Sequence, residues 1–233
     1  MRGFGSALVL CALCSQSSAS DRVLSRELRL ARSTVARFFN QPFKVRFKAI
    51  VFKSRSELDA YFMKRWKFKG EPWMVAAGVA DAFIILDPAT WGTQATEHDG
   101  SDLRHVQEIV THELVHVFHG QHNPSKDFSD VDEIGWFIEG LATFASGQLQ
   151  HGKNEDALKA LNSGLAPRNL ATAWSGRYRY GVCGSMVKYI DVVYGRRKLF
   201  ELLSATTQSQ ILAELGATEE GFLFDWMTWV LRS

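Results

Sequence analysis

The stretch THELVHVFHG, residues 111–120, constrains the fold more than any other part of the chain. It carries His112, Glu113 and His116 in the order H-E-x-x-H. Two histidines four positions apart reach one metal ion when the segment between them is helical, because i and i+4 share a face one turn apart. Glu113 then leans beside the metal, where a carboxylate can take a proton from a bound water. Val110, Leu114 and Val117 form an apolar stripe on the same segment, which ties the imidazoles to a core. A chain built this way must bury that helix and bring at least one more ligand to it.

The rest of the pattern predicts an α+β fold. A small mixed sheet and the active-site helix come first, and a mostly helical C-terminal part follows. Residues 23–39 read as a helix with Leu24, Leu28, Val35 and Phe38 among its apolar positions, ended by Pro42. Residues 43–52 alternate, with Val45, Phe47, Ala49 and Val51 opposite Lys44, Arg46 and Lys48, as in a half-buried strand. Ser54 and Glu57 pair as a capping box that opens a helix reaching about Trp66. Residues 76–86 read as a second strand, stopped by Asp87-Pro88. A polar loop follows, and Asp102 starts the motif helix, which runs to about Gly120. Residues 121–132 lack periodicity and read as a loop, after which Asp130 and Glu133 mark the next helix start. Two further apolar stripes, one through Val182, Met186 and Ile190 and one through Phe222, Trp226 and Val230, complete the helical part.

Length and charge narrow the class. A chain of 233 residues with 46% hydrophobic content suits a single domain over residues 21–233. A net charge of +2 gives no footprint for nucleic acid. Arg2, the short apolar run 5–14 and the small residues 17–20 read as a signal peptide, residues 1–20, which implies an exported, periplasmic or secreted protein. The apolar run is too short to span a bilayer. Cys11 and Cys14 leave with that segment, so the mature chain keeps one cysteine, Cys183, expected as a small buried apolar residue.

A catalytic zinc site has three protein ligands and one open position. Glu139 and His122 compete for the third place. His122 completes the spacing H-E-x-x-H-x-x-G-x-x-H, but that arrangement needs a sharp break at position 119, where this chain has His119 and not glycine. Glu139 needs only a second helix after an ordinary loop. The physics favours Glu139, with His122 the alternative. His119 and His122 are otherwise expected at a polar helix end, where cationic side chains suit the dipole. His105, two turns before His112, is too far for a ligand and is expected at the surface.

HELVH followed by WFIEGLATF resembles the gluzincin metallopeptidases, and within them the peptidase MA-like family. The similarity continues through Tyr180-Gly181, Ser185-Met186-Val187 and Tyr189-Ile190 to Tyr194-Gly195. It implies a zincin-like fold and one Zn2+ per chain held by His112, His116 and Glu139. It also implies a peptide or protein substrate, with Glu113 as general base. Tyr180, with Tyr178 second, is the expected donor to the developing oxyanion. The strand 82–85 would lie along the cleft as an edge for substrate. Two positions depart from the family. Thr143 stands where an acidic residue would orient a histidine, and Met186 stands where an aromatic is usual. Two other readings use the same residues: a zinc-stabilised binding module without turnover, and a metzincin-like peptidase that takes His122 as third ligand.

Overall fold

Apolar spacing along the chain resolves into a thin sheet with helices packed around one central helix. The computed structural model describes residues 8–9, 19–95 and 97–233, so the expected leader falls almost wholly outside the described residues. A two-residue strand β1 (Leu8–Val9) precedes the first helix α1 (Ala19–Phe39). Strand β2 (Lys48–Phe52) leads into α2 (Arg55–Trp66), where Ser54 accepts from the Glu57 amide as its spacing predicts. Strands β3 (Ala76–Val79) and β4 (Ala82–Leu86) follow, then the short α3 (Trp91–Gln94).

The central helix is α4 (Leu103–His122), with Asp102 accepting from the amides of Arg104 and His105 at its start. After the loop come α5 (Gly135–Ala145), α6 (Asp156–Asn162), α7 (Arg179–Tyr194), α8 (Arg196–Glu201), α9 (Gln208–Leu215) and α10 (Glu219–Arg232). The class is α+β, as the pattern predicts. Among the described residues no helix is long and apolar enough to cross a membrane.

The sheet order is β1-β2-β4-β3. β2 and β4 run parallel, joined through α2, while β3 and β4 are antiparallel neighbours. Residues 76–86 are therefore a hairpin and not the single strand their apolar run suggests. The loop between them, Ala80-Asp81, has none of the glycine or asparagine that marks a tight turn. Tertiary bonds hold it: the Gln121 amide donates to the Ala80 carbonyl at 3.0 Å, the Ala80 amide to Lys126 at 2.9 Å, and Lys48 to the Asp81 carbonyl at 2.9 Å. Arg65 also pairs with the Asp81 carboxylate at 2.6 Å.

The hairpin corrects the expected substrate edge. Every residue of β4 is buried, because the strand is covered on both faces and flanked by β2 and β3. The edge strand is β3, and it packs against α4.

The buried apolar residues form one cluster from Leu24 to Trp226. α1 lays Leu24, Ala31 and Val35 toward α4, and its Phe39 ring stacks on Phe118 at 4.5 Å between centroids. On the other side α5 packs on α4 and, over its whole length, on α7. Gly140 makes that last contact possible. A Cβ there would overlap the Cys183 carbonyl oxygen, so only glycine lets the two backbones meet. The helix carrying Glu139 is thereby pressed between the motif helix and the helix carrying Tyr180.

Candidate metal centre

α4 runs unbroken past position 119, so its two motif histidines lie one turn apart, with ring centroids separated by 4.8 Å. α5 brings Glu139 between them. Its carboxylate lies 3.2 Å from His112 Nε2 and 3.6 Å from His116 Nε2. One ligand atom from each of the three residues falls within 4.8 Å of the others, so His112, His116 and Glu139 could hold a metal ion. Two imidazole nitrogens and a carboxylate oxygen suit a borderline divalent cation.

The remaining ring nitrogen of His112 is also fixed. His112 Nδ1 donates to Gln148 Oε1 at 2.9 Å, which fixes the ring with Nε2 toward Glu139. Gln148 reaches back because Gly147 takes a φ of +90° just after α5, a turn that returns the chain toward α4. Thr143 does not fill this role. It is fully buried, its hydroxyl has no partner among the described residues, and its methyl lies against Gly184 of α7. The side chain standing at the acidic position of the family pattern packs the α5–α7 seam.

Glu113 stands on the same helix, next to His112. Burial pushes its carboxyl up to about 7, with the Glu139 charge adding, while His112 and the Gly78 amide act the other way. Burial would also raise Glu139, but the attraction of His116 and hydrogen bonds from both histidines hold it well below the usual carboxylate range. The two carboxyls thus have opposite tendencies: Glu139 is held charged beside the imidazoles, whereas burial holds Glu113 up to about 7.

Tyr180 lies on the far side of His112, its ring 6.4 Å from the imidazole. Burial, with Glu139 adding, pushes its phenol up to about 12, so the hydroxyl stays protonated and can donate. Tyr178, one residue before α7, packs against the core and does not line the cleft.

Other expected positions fall elsewhere. His122 is on the last turn of α4, where its Nδ1 donates to the Phe118 carbonyl at 2.8 Å and its ring meets Phe200. It is not part of the triad. His119 is not a polar helix end: it is fully buried, its ring among Phe128 and Phe137. His105 lines the cleft wall, 2.9 Å from His98 Nδ1, and His98 Nε2 donates to the Trp73 carbonyl at 2.8 Å. Cys183 is buried and donates to the Ala173 carbonyl at 3.3 Å, the packing role its isolation predicts.

The triad opens into a cleft of about 1170 Å³ whose floor is β3. Its two ends differ. Beyond His112 lie Tyr180, Trp174, Arg179 and Lys153, and beyond His116 lies Phe128. Asp127 and Trp66, also cleft residues, interact with each other.

No protein-family model, curated protein or solved structure matches this chain.

Proposed function

We propose that this protein is a zinc-dependent peptidase of the gluzincin type, with Glu113 as general base. One observation carries the reading: Glu139, from a separate helix, meets the two histidines while Glu113, a buried carboxyl, stands next to His112 on the motif helix. Three ligands with a neighbouring base is the minimal equipment for hydrolysis by an activated water.

The residues present fit zinc, which His112, His116 and Glu139 would hold. When bound, zinc lowers the pKa of a water toward about 7 and polarises a carbonyl. Gln148 keeps the His112 ring turned to the ligand position. Glu113 accepts the proton of the attacking water and passes it to the departing amine. The Tyr180 hydroxyl donates to the oxygen on which charge develops. A peptide laid along the edge strand β3 would pair with its backbone and present the scissile bond to Glu113. The same reading makes the protein an exported enzyme, from the apolar run 5–14 and the small residues 17–20.

The test is metal content together with hydrolysis of a broad peptide library, for the mature protein and for Glu113→Gln. The expected result is one zinc per chain in both and cleavage by the unaltered protein alone. Absence of zinc after reconstitution would sink the reading. Zinc in both proteins with no cleavage in either would favour a zinc-stabilised binding module.

A further inference from the structure

Two cations line the cleft beside the triad and lean on aromatic rings. The Arg179 guanidinium carbon lies 5.0 Å from the Trp174 ring centroid, 5.3 Å from that of Tyr180 and 5.7 Å from that of Trp73. Lys153 Nζ lies 5.2 Å from the Tyr180 centroid. Among the described residues neither cation forms an ion pair within 4.0 Å. Lys153 feels the charge of Asp156, which it shares with Lys159 and Arg177, and Arg179 hydrogen-bonds Tyr180.

Aromatic faces attract a cation without neutralising it, so both side chains are held in place with no ion pair closing them off. A guanidinium held by stacking still offers a fork of N–H groups that matches a carboxylate. The location is specific. Both cations touch Tyr180, whose ring neighbours His112, whereas the His116 side of the cleft has Phe128. The cleft is therefore polarised along its length, with its two unpaired cations one side chain from the triad.

We propose that Arg179 and Lys153 form a subsite for a carboxylate of the substrate, at the end of the cleft beyond His112. The inference rests on the peptidase reading for its substrate class, a peptide. The carboxylate comes either from the peptide's C-terminus or from an acidic side chain close to the scissile bond. Both sources present the same planar anion to the same fork.

Binding is measured on zinc-loaded Glu113→Gln, so that bound peptide persists, by the fluorescence of the tryptophans that flank Arg179. Four probes separate the sources: a neutral N-acetylated peptide as free acid, the same peptide as its C-terminal amide, and amidated versions with an internal Glu or Gln. The expected result is at least ~10-fold tighter binding of free acid over amide, or of Glu over Gln, lost when Arg179→Gln is added. Lys153→Gln should lose part of the preference and serves if the Arg179 variant does not fold. Equal binding of each acid and its neutral partner overturns the inference, as does a preference that survives both substitutions. Hydrolysis of the same peptides by the unaltered protein keeps the two ideas apart. Cleavage without carboxylate preference leaves the peptidase reading standing alone, and preference without cleavage leaves only the subsite.

Discussion

Gly78 of the edge strand β3 touches Glu113 of α4 backbone to backbone. A Cβ on Gly78 would overlap the Glu113 carbonyl oxygen and lie 3.0 Å from the His116 Cβ, while the Gly78 amide bonds the Glu113 carboxylate. The strand that floors the cleft thus sits directly on the helix that carries the base, and both tolerate this only because position 78 has no side chain.

Gly78→Ala should therefore push β3 away from α4. Overpacking of this kind costs about 1–3 kcal/mol. Urea denaturation should show a lower midpoint, and zinc titration of the folded variant should show weaker binding because His116 is displaced with the strand. A midpoint and a zinc affinity equal to those of the unaltered protein would mean that the close approach has no role in holding the site.

Gln148 offers a separate handle on the metal. Its amide oxygen is the partner that fixes the His112 ring, and removing such a partner lowers metal affinity by roughly 10–100-fold. Gln148→Ala should show that loss in competition with a chelator while leaving thermal stability of the metal-free protein almost unchanged. Gln148→Glu should recover affinity, since a carboxylate accepts the same bond more strongly. An alanine variant that holds zinc as tightly as the unaltered protein would remove Gln148 from the site.

These residues also mark what can be read from a sequence and what cannot. The triad was legible because H-E-x-x-H is a local pattern whose meaning depends only on helical spacing, and Glu139 followed from the shape of the turn that His122 would have needed. Gln148 carries no such signal. It acts through Gly147, whose positive φ turns the chain back after α5, and no spacing in one dimension announces that return. The β3–β4 turn was hidden for a related reason, as Gln121, Lys126 and Lys48 from distant positions hold a loop that has neither glycine nor asparagine. Thr143, which departs from the acidic residue of the family pattern, is claimed by packing against Gly184.

His119 gives the fold a pH dependence of its own. Burial lowers its pKa to about 3, with His116 and His122 adding. The Leu203 carbonyl, which also accepts from Asn123 at 2.8 Å, acts in the opposite direction without cancelling the burial. The imidazole is therefore neutral in the folded state, whereas in the unfolded chain it protonates near its ordinary value of about 6.5. The unfolded state binds the proton first, so the His119 contribution is intact above that value and is lost progressively as pH falls toward 3. The slope from one such group approaches about 1.4 kcal/mol per pH unit. His119→Phe removes the titration and two buried nitrogens that have no hydrogen-bond partner among the described residues. Its unfolding free energy should be at least equal to that of the unaltered protein near neutrality and should fall less steeply on acidification. Parallel stability curves for the two proteins would remove His119 as the source.

Tyr180→Phe tests the proposed donor separately from the metal. The hydroxyl touches no ligand of the triad, so zinc content should be unchanged. The ring remains to pack against Trp174 and to face Arg179 and Lys153, and Arg179 loses only its bond to the hydroxyl, so KM for an amidated peptide without an acidic side chain should move little. If the hydroxyl donates only when charge develops on the carbonyl oxygen, its loss appears in kcat, by roughly 10²–10³-fold for one such donor. The phenol's pKa of about 12 sharpens the test. The hydroxyl is protonated throughout the neutral and mildly alkaline range, so the deficit should be constant across it. A variant with unaltered kcat would return Tyr180 to a packing role, and one with raised KM alone would make its hydroxyl a contact for bound substrate.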